Sequence, residues 1–526
     1  MSKNRSDDIP HLRKKGTATQ LIVDGRPFVM LGGELHNSSS SSLAYMEPIW
    51  PRLARLGLNT VLAPVTWELT EPEEGKFDYA LVDGLIKGAR RHNLKLVLLW
   101  FGTWKNTSSS YAPSWVKIDL ERFPRAQLPG GRNTDAVTCF SKAACQADAR
   151  AFGALMRHVR EVDGQEHTVV TVQVENEVGV LKTPRDRCKV AEERFAQQVP
   201  KELTKYLRSH TDNLTAYLQK VWGEAGSRTA GTWGEVFGSG ADEVFMAWHI
   251  AQYVDRVAEA GKAECPLPMY VNVWLGPQQE GQLPGDYPSG GPVARMMDVW
   301  KAAAPSIDFL TPDIYVEDFR GVCREYVHGG NPLMIPEARP DEQAAGNVFY
   351  AVGSHDAMCY APFAIDSVAE PHPLTVSYKL LSALMPVITD YHGTGRMIGF
   401  ADDPSYGLRW NVFTSGLMRG FDRELGGYRL SVRFNRPYEA GKAPAAGLII
   451  AAEDDEYIVA GAGFNLSFAP KSGEANVEIL TLDEGNYEDG KWVPMRRLNG
   501  DESQGGKLVQ MGDGMGVRKA KIYSYP

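Results

Sequence analysis

The sequence lacks several features that mark whole classes of protein. No stretch reaches about 18 consecutive apolar residues, so no membrane partner is expected. The net charge of -9 leaves no basic excess, which argues against a nucleic-acid partner. The first 16 residues are polar and contain no apolar core, so they do not form a signal peptide. The chain as given is therefore expected in the cytoplasm, or in the periplasm or outside the cell if an export signal was trimmed.

Cysteine is also scarce in these 526 residues. The six cysteines form no Cys-x-x-Cys pair, and no histidine cluster at metal-ligand spacing accompanies them: Cys139, Cys145, Cys188, Cys265, Cys323 and Cys359. Free thiols are expected rather than a disulfide framework, although Cys139 and Cys145 are close in sequence. Neither a metal ion nor another cofactor is predicted.

What the sequence does contain, from about residue 20 to 390, is an alternation of short apolar runs and amphipathic helical stretches. Such alternation is typical of βα units in a parallel sheet. Eight apolar runs are predicted strands: Phe28–Gly33, Thr60–Pro64, Lys95–Trp100, Val169–Val174, Met269–Val273, Phe309–Pro312, Leu333–Pro336 and Met358–Ala361. Eight strands separated by helices predict an α/β fold, a (β/α)8 TIM barrel over residues 1–392.

Helical stretches with one apolar face separate these strands: Tyr79–Asn93, Ala144–Val162, Ala241–Lys262 and Val293–Ala304. Asp78 is predicted to cap the first of them. Two long insertions, residues 105–141 and 182–240, follow the third and fourth strands. Both lie at the carboxyl ends of strands, where barrel enzymes hold their active sites, so they either shape a cleft or are decorative insertions.

The pattern changes after about residue 393. Short alternating segments appear between Gly and Asp or Asn turns: Leu448–Ala452, Glu456–Val459, Val477–Leu482 and Lys519–Tyr523. This predicts an antiparallel β-sandwich over residues 393–526. The role of this domain is left open, as is the formation of a homo-oligomer.

Two glutamates stand at the ends of predicted strands four and seven. One strand ends in Asn176 and Glu177, and the other ends in Glu337. Glycoside hydrolysis needs one carboxylic acid to protonate the leaving oxygen and a second carboxylate to attack the anomeric carbon or activate water. The ends of strands four and seven face each other across a barrel mouth, so the pair predicts a glycosidase. Glu175 is expected to point the other way, towards the helices.

Longer motifs resemble the β-galactosidases of glycoside hydrolase family 35, a clan A barrel family. The resemblance rests on GGELH at residues 32–36, WE at 67–68, EPEEGKFDY at 71–79 and VQVENEVG at 172–179. It covers about residues 20–370, and the C-terminal region looks like the single β-domain of a small bacterial subgroup. The resemblance implies a retaining, double-displacement β-galactosidase that acts on plant-type oligo- or polysaccharides. Exo action is expected because the long insertions would close a cleft into a pocket.

Residue by residue, the resemblance implies that Glu177 is the acid/base and Glu337 the nucleophile. Asn176 matches the clan residue that hydrogen-bonds the sugar 2-hydroxyl, and Tyr315 resembles the clan tyrosine that positions the nucleophile. Arg339 follows Glu337 closely and would help to keep it ionised, unless it points outward. Glu177 needs a raised pKa to be protonated near neutral pH.

One departure from the family lies after the third strand. Family members carry Cys-Ala-Glu-Trp there, with a glutamate that helps to hold galactose, whereas this sequence has LLWFGTWKN at residues 98–106. The galactose contacts must therefore differ, which leaves the sugar specificity open. Further candidate substrate contacts lie at or near strand ends: Glu34, His36, Asn37, Trp67, Trp104, Asn106, Trp274 and Tyr360. For the aromatic residues and His36, structural packing is the competing interpretation.

Three alternatives stay open at this point. The same glutamate pair would serve a β-glucosidase, a glucosaminidase or a transglycosylase. A catalytically inactive carbohydrate-binding homologue is a second option, although both glutamates are present. A metal-dependent hydrolase or isomerase would need His and Asp ligands at several strand ends, and the 11 histidines do not cluster in that way.

Overall fold

The computed structural model describes residues 9–411, 416–435, 438–439, 441–473, 475–488, 490–498 and 500–526. The start of the polar N-terminal segment, residues 1–8, lies outside this range. The strands described up to residue 360 are β1 (His11–Lys15), β2 (Ala18–Val23), β3 (Arg26–Phe28), β4 (Met30–Glu34), β5 (Thr60–Thr66), β6 (Lys95–Lys105), β7 (Arg125–Gln127), β8 (Asn133–Val137), β9 (Val169–Asn176), β10 (Met269–Trp274), β11 (Phe309–Ile314), β12 (Met334–Ile335), β13 (Glu337–Ala338) and β14 (Cys359–Tyr360).

Nine of these strands form one parallel sheet in the order β12-β14-β4-β5-β6-β9-β10-β11-β13. The two ends of this order, β12 and β13, are halves of one seventh strand on either side of Pro336, which has no backbone N–H to give to the ladder. β12 pairs with β14 and β13 pairs with β11, so the sheet closes into a barrel. The predicted (β/α)8 barrel is confirmed, and each of the eight predicted strands overlaps an observed one.

The helices of the described residues lie around this barrel or in the insertions at the carboxyl ends of its strands. They are α1 (Leu43–Met46), α2 (Ile49–Arg55), α3 (Trp67–Thr70), α4 (Ala80–Arg91), α5 (Ser114–Ile118), α6 (Lys142–Asp163), α7 (Lys189–Phe195), α8 (Lys201–Ser209), α9 (Ala216–Glu224), α10 (Trp233–Phe237), α11 (Ala241–Glu264), α12 (Met297–Ala303), α13 (Phe319–Tyr326), α14 (Ala344–His355) and α15 (Pro373–Tyr391). The predicted cap of α4 is wrong by one residue, because the helix begins after Tyr79. Asp78 instead accepts a hydrogen bond from the Ala80 N–H at 2.9 Å.

Apolar side chains fill the barrel below its mouth. Val97, Leu99 and Phe101 of β6 belong to this interior cluster, and Leu21 and Val23 of β2 close its N-terminal end. A separate apolar cluster joins the outer faces of the strands to the helices. The barrel is thus a packed core, and its functional surface lies at the carboxyl ends of the strands.

The two long insertions lie at those carboxyl ends. The insertion after β6 contains α5 and the hairpin β7–β8, and the insertion after β9 contains α7, α8, α9 and α10. The second insertion is therefore mostly helical.

The remaining strands form two antiparallel sheets. They are β15 (Met397–Ala401), β16 (Leu408–Asn411), β17 (Gly416–Leu425), β18 (Tyr428–Phe434), β19 (Ala446–Ala451), β20 (Glu456–Ala462), β21 (Phe464–Pro470), β22 (Asn476–Glu488), β23 (Lys491–Arg497), β24 (Val509–Met511) and β25 (Gly516–Tyr525). One sheet has the order β15-β19-β20-β25-β22-β23 and the other β16-β17-β18-β21-β24. Phe400, Val432, Ile449 and Phe464 belong to the apolar cluster that both sheets share, which agrees with the predicted sandwich.

Helix α14 of the barrel packs directly on strand β15 of the sandwich. A Cβ atom on Gly399 would lie 1.8 Å from the Phe349 carbonyl oxygen, so only glycine permits this approach. The Ser354 hydroxyl donates to the Gly399 carbonyl at 2.7 Å. Leu448 and Ile450 of β19 belong to the same apolar cluster as the barrel helices. The two parts of the chain therefore share one continuous apolar contact.

Within the described ranges, no helix is long and apolar enough to cross a membrane. All six cysteines fall in those ranges and are free thiols. Burial raises the pKa of Cys145 and Cys188 to about 11, so these two thiols stay protonated near neutral pH.

Candidate active site

Three carboxylates meet where strands β9, β11 and β13 end. Glu177, Asp313 and Glu337 each place an oxygen within 4.8 Å of the others. All three side chains are buried, and Glu177 and Glu337 are only 6% and 4% exposed. The closed barrel thus brings together the two glutamates that the sequence singles out, and it adds an aspartate to them.

An unusual turn at the end of β9 presents the first glutamate. Glu175 and Glu177 have φ angles of 62° and 44°, in the left-handed region that costs a residue with a side chain about 1–3 kcal/mol. Two hydrogen bonds hold the turn: the Glu177 N–H donates to Asn272 Oδ1 at 3.0 Å, and the Thr107 N–H donates to the Glu177 carbonyl at 3.1 Å. The turn allows both Asn176 and Glu177 to face the mouth, although neighbouring strand residues ordinarily face opposite sides.

Hydrogen-bond donors surround Glu337. The Tyr315 hydroxyl donates to Oε2 at 2.8 Å. Asn272 Nδ2 and Asn176 Nδ2 donate to Oε1 at 3.2 and 3.4 Å. Donors on both oxygens fix the direction of the carboxylate. The expected partner Arg339 is exposed and is not among these donors.

Asn272 and Asp313 also belong to this candidate site, and the sequence did not single them out. Asn272 Nδ2 also donates to Asp313 Oδ2 at 2.8 Å, and Asp313 lies opposite Glu337 in the β11–β13 ladder. Each interrupts an apolar strand, MYVNVW and FLTPDI, close to its carboxyl end. A polar residue at that place in a barrel strand is the signal that would have found them.

The surroundings of Glu177 favour its protonated form. Burial, followed by the negative charge of Glu337, raises the pKa of the Glu177 carboxyl to about 7. The Lys105 cation and a hydrogen bond with Asp313 act in the opposite direction but are smaller. Glu177 is therefore largely protonated just below neutral pH, as a general acid must be.

Lys105, at the end of β6, is the cation of this site and was also missed from the sequence. Its side chain is 5% exposed, and Nζ lies 5.0 Å from the centre of the Phe101 ring. Burial lowers its pKa, but the carboxylates, with Glu337 and Glu177 first, outweigh burial and leave the pKa raised. Among the described residues no ion pair within 4.0 Å involves Lys105. Its ammonium group therefore remains available to a ligand.

Glu34, at the end of β4, faces the same space. Neither of its carboxyl oxygens has a hydrogen-bond partner among the described residues, although the side chain is fully buried. Burial, and then the charge of Glu337, raises its pKa well above the usual range. Gln173 and the Tyr270 hydroxyl are likewise buried without partners in that part of the chain. Buried polar groups of this kind ordinarily bind water or a ligand.

Three aromatic residues predicted as sugar contacts lie in the helical shell. Trp67 Nε1 donates to Glu71 at 2.8 Å, and Trp104 Nε1 donates to the Val137 carbonyl at 3.1 Å. Tyr360 is fully buried, and its ring packs edge-on against Phe319. These three rings therefore have the structural packing role that was the competing interpretation, because each contacts residues of the helical shell.

The other predicted contacts lie around the mouth. His36 is exposed and packs against Phe363 at the end of β14, and Asn37 has a buried, unpartnered Oδ1. Asn106 is exposed in a left-handed turn after β6. Trp274, at the end of β10, is 39% exposed. A flat, half-exposed ring at a strand tip is suited to packing on a sugar.

The three clustered carboxylates also have the spacing of a metal site, and among the described residues no other group has it. Both Glu337 oxygens already accept hydrogen bonds. Lys105 supplies a fixed positive charge nearby. These two features favour a charge-balanced acid–base site over one for a divalent cation.

A cavity of about 820 Å³ lies beside the loops that follow β10 and β11. Its walls include Tyr217, Leu275, Val293 and Val322, but none of the three carboxylates. Concave volume alone would place the site there. The convergent acidic and amide groups place the chemistry at the barrel mouth instead.

The Lys105 cation leads to a test of these electrostatics. Because Lys105 lowers the pKa of Glu177, Lys105→Met should raise that pKa and move the basic limb of the kcat/KM profile upward by about one pH unit. Lys105→Arg should leave the limb near its original position. A pH profile of the three proteins checks this. An unchanged limb in Lys105→Met would contradict the coupling.

Paired glutamates at the mouth of a barrel are the groups that glycoside hydrolysis requires, and the family-model match places the protein in the glycoside hydrolase class. Residues 44–242 match the family model described as Beta-galactosidase, that of glycoside hydrolase family 42. Residues 374–510, from α15 into the sandwich, match a domain of unknown function, DUF5597. The barrel is therefore β-galactosidase-like, while the resemblance to family 35 in particular stays a prediction.

Individual relatives are distant. Over 168 aligned residues the chain is 28% identical to a beta-galactosidase of Xanthomonas manihotis. The alignment covers 31% of this chain and 25% of the relative. The chain thus spans about a quarter of the length of that relative. Similar solved structures include the beta-galactosidase of Halorubrum lacusprofundi, with a TM-score of 0.46 and 16% identity; the match covers 68% of this chain and 58% of that one. The catalytic domain of the beta-amylase of Paenibacillus polymyxa has a TM-score of 0.46 and 11% identity, and the match covers 67% of this chain and 97% of that one.

Proposed function

We propose that the protein is a retaining β-glycosidase with Glu337 as nucleophile and Glu177 as acid/base. The observation that carries this proposal is the carboxyl spacing, with oxygens of the two glutamates within 4.8 Å of each other. Retaining glycosidases hold their carboxyl groups about 5–5.5 Å apart, whereas inverting enzymes need about 6.5–9.5 Å to admit a water. The shorter spacing supports direct attack on the sugar.

In the first step Glu337 attacks the anomeric carbon and the glycosidic bond breaks. Glu177 gives its proton to the departing oxygen, which leaves as an alcohol. The product is a glycosyl ester on Glu337. Tyr315 and Asn272 hold the attacking carboxylate in place. Asn176, beside them, is placed to contact the sugar 2-hydroxyl as positive charge develops at the anomeric carbon.

In the second step Glu177, now ionised, takes a proton from water. The resulting hydroxide oxygen attacks the anomeric carbon, and the ester bond to Glu337 breaks. Both carboxyl groups return to their starting protonation states. The raised pKa of Glu177, about 7, suits a group that must give a proton and then take one back.

We propose a terminal β-galactoside as the substrate, removed by exo action from an oligo- or polysaccharide. The family match and the Xanthomonas relative support the sugar. The deep burial of both glutamates supports a pocket. The unpartnered groups of Glu34 and Lys105 are proposed to bind sugar hydroxyls, with His36, Asn37, Asn106 and Trp274 at the rim. We also propose the domain division at residue 392, with catalysis confined to residues 1–392.

A panel of 4-nitrophenyl β-glycosides, followed by proton NMR, tests the function. The galactoside should have the highest kcat/KM, and the first sugar released should be the β-anomer. A preference for the glucoside would replace the sugar assignment but keep the mechanism. Initial release of the α-anomer would contradict the retaining mechanism. Polysaccharide digestion should give only monosaccharide, and longer products would contradict exo action.

A further inference from the structure

A second group of buried polar side chains lies behind the tip of β9, away from the mouth. Glu175 accepts hydrogen bonds from the Thr103 N–H at 3.2 Å and the Trp104 N–H at 2.6 Å. Asp148 of α6 accepts from Trp100 Nε1 at 2.9 Å and from the Thr103 hydroxyl at 2.7 Å. Both carboxyl groups are fully buried. They connect the tip of β9 to the end of β6 and to the helical shell.

The backbone at Glu175 reverses the strand's alternation. Val172 and Val174 belong to the shell cluster, while Gln173 lies opposite Leu99, an interior residue of β6. A regular strand would therefore turn Glu175 into the barrel. Its φ of 62° instead directs the carboxyl group into the shell. The reversal places the residues that follow Glu175 at the mouth.

The space that receives Glu175 depends on Gly102. A Cβ atom there would lie 2.8 Å from Glu175 Oε1, 2.8 Å from Asp148 Oδ1 and 2.4 Å from Trp100 Nε1. Any side chain at this position would displace the carboxyl pair. Strand β6 thus provides, at Gly102, the space that the Glu175 side chain of strand β9 occupies.

We propose that Glu175, supported by Asp148 and by the amides of Thr103 and Trp104, is a positioning residue that aims the Glu177 carboxyl at the leaving-group oxygen. This inference rests on the proposed function, because it assumes that Glu177 is the acid. Glu175 acts through the turn and touches no reacting atom.

The loss of acid catalysis can be told from general destabilisation by how kcat/KM depends on the leaving group. A poor leaving group such as phenol needs protonation as the bond breaks, whereas 2,4-dinitrophenolate leaves without it. Misdirection of Glu177 should therefore reduce kcat/KM strongly for the phenyl glycoside and weakly for the dinitrophenyl glycoside.

The experiment compares Glu175→Leu and Glu175→Gln with the unmodified protein on both substrates. Burial, and then the charge of Asp148, raises the pKa of Glu175 well above its usual range, so glutamine resembles its neutral form. Glu175→Leu should lose about 100-fold in kcat/KM on the phenyl glycoside and less than about fivefold on the dinitrophenyl glycoside. Glu175→Gln should recover part of the loss, because its amide oxygen can still accept one of the two backbone hydrogen bonds but its NH2 group cannot accept the other.

Two controls separate the outcomes. Glu243→Gln alters another buried carboxyl group, which lies on helix α11 and pairs with Arg295, and it should affect both substrates equally. If Glu177→Ala fails to show the leaving-group pattern, the proposed function itself is wrong. If Glu177→Ala shows it and Glu175→Leu loses equally on both substrates, or loses nothing, only the positioning role is overturned. If thermal unfolding shows that Glu175→Leu does not fold, Asp148→Asn replaces it in the comparison. The same result is expected for it, a strong loss of kcat/KM on the phenyl glycoside and a weak loss on the dinitrophenyl glycoside.

Discussion

Glu337→Ala should lower kcat/KM for the best 4-nitrophenyl β-glycoside by at least about 10⁴-fold, because no covalent intermediate can form. Added azide should restore part of the turnover, since a small anion fits the space of the lost carboxylate. The product should be the α-glycosyl azide, because a single displacement on a β-glycoside inverts the anomeric carbon. Proton NMR of the azide product checks this result.

A matched control separates loss of the nucleophile from loss of the fold. Glu370→Ala removes a carboxylate that pairs with Arg55 near the surface, and it should keep its activity. Glu337→Ala should retain a cooperative thermal transition. Near-normal turnover in Glu337→Ala would remove the basis of the mechanism, and formation of a β-azide would assign the nucleophile to another residue.

Glu177→Ala should produce a loss that depends on the leaving group, about 10³-fold on the phenyl glycoside and far less on the 2,4-dinitrophenyl glycoside. Azide should accelerate turnover of the dinitrophenyl substrate and return the β-glycosyl azide, because it attacks the α-linked glycosyl enzyme. The pH profile should change as well. The protonated form of Glu177 is required, so kcat/KM of the unmodified protein should fall as pH rises above about 7.

In Glu177→Ala this basic limb should be absent. If the limb persists near pH 7, it belongs to a group other than Glu177. An equal loss on both substrates would show that residue 177 is not the acid. The α-azide as product would exchange the roles of the two glutamates.

The sequence was sufficient to predict the barrel because apolar strands and amphipathic helices have different periods. Each of the eight predicted strands overlaps an observed one, although the first is interrupted at Val29 and the seventh ends at Pro336, where the observed strand is interrupted. The antiparallel sandwich was predictable for the same reason. The Asp78 cap was less predictable: α4 begins one residue later, after Tyr79, whose side chain makes no capping hydrogen bond.

The candidate site was predictable only in part. Glu177 and Glu337 follow from their places at the ends of strands four and seven. Asn272, Asp313 and Lys105 belong to three different strands, and nothing in their local sequence says that they face one another. Trp67, Trp104 and Tyr360 were expected near the sugar but pack in the shell. Strand alternation cannot be extended past a strand tip, where a turn such as that at Glu175 changes the direction of the side chains.

By itself, then, the sequence determined the barrel, the sandwich and the pair of glutamates, because local hydrophobic periodicity and strand order are sufficient for these. Only the tertiary structure decided which polar groups surround that pair. Closing the barrel sets Lys105, Glu34 and Asp313 within electrostatic range of Glu177 and buries all of them. The pKa of a carboxyl group depends on such distances and on burial, and neither can be read along a chain.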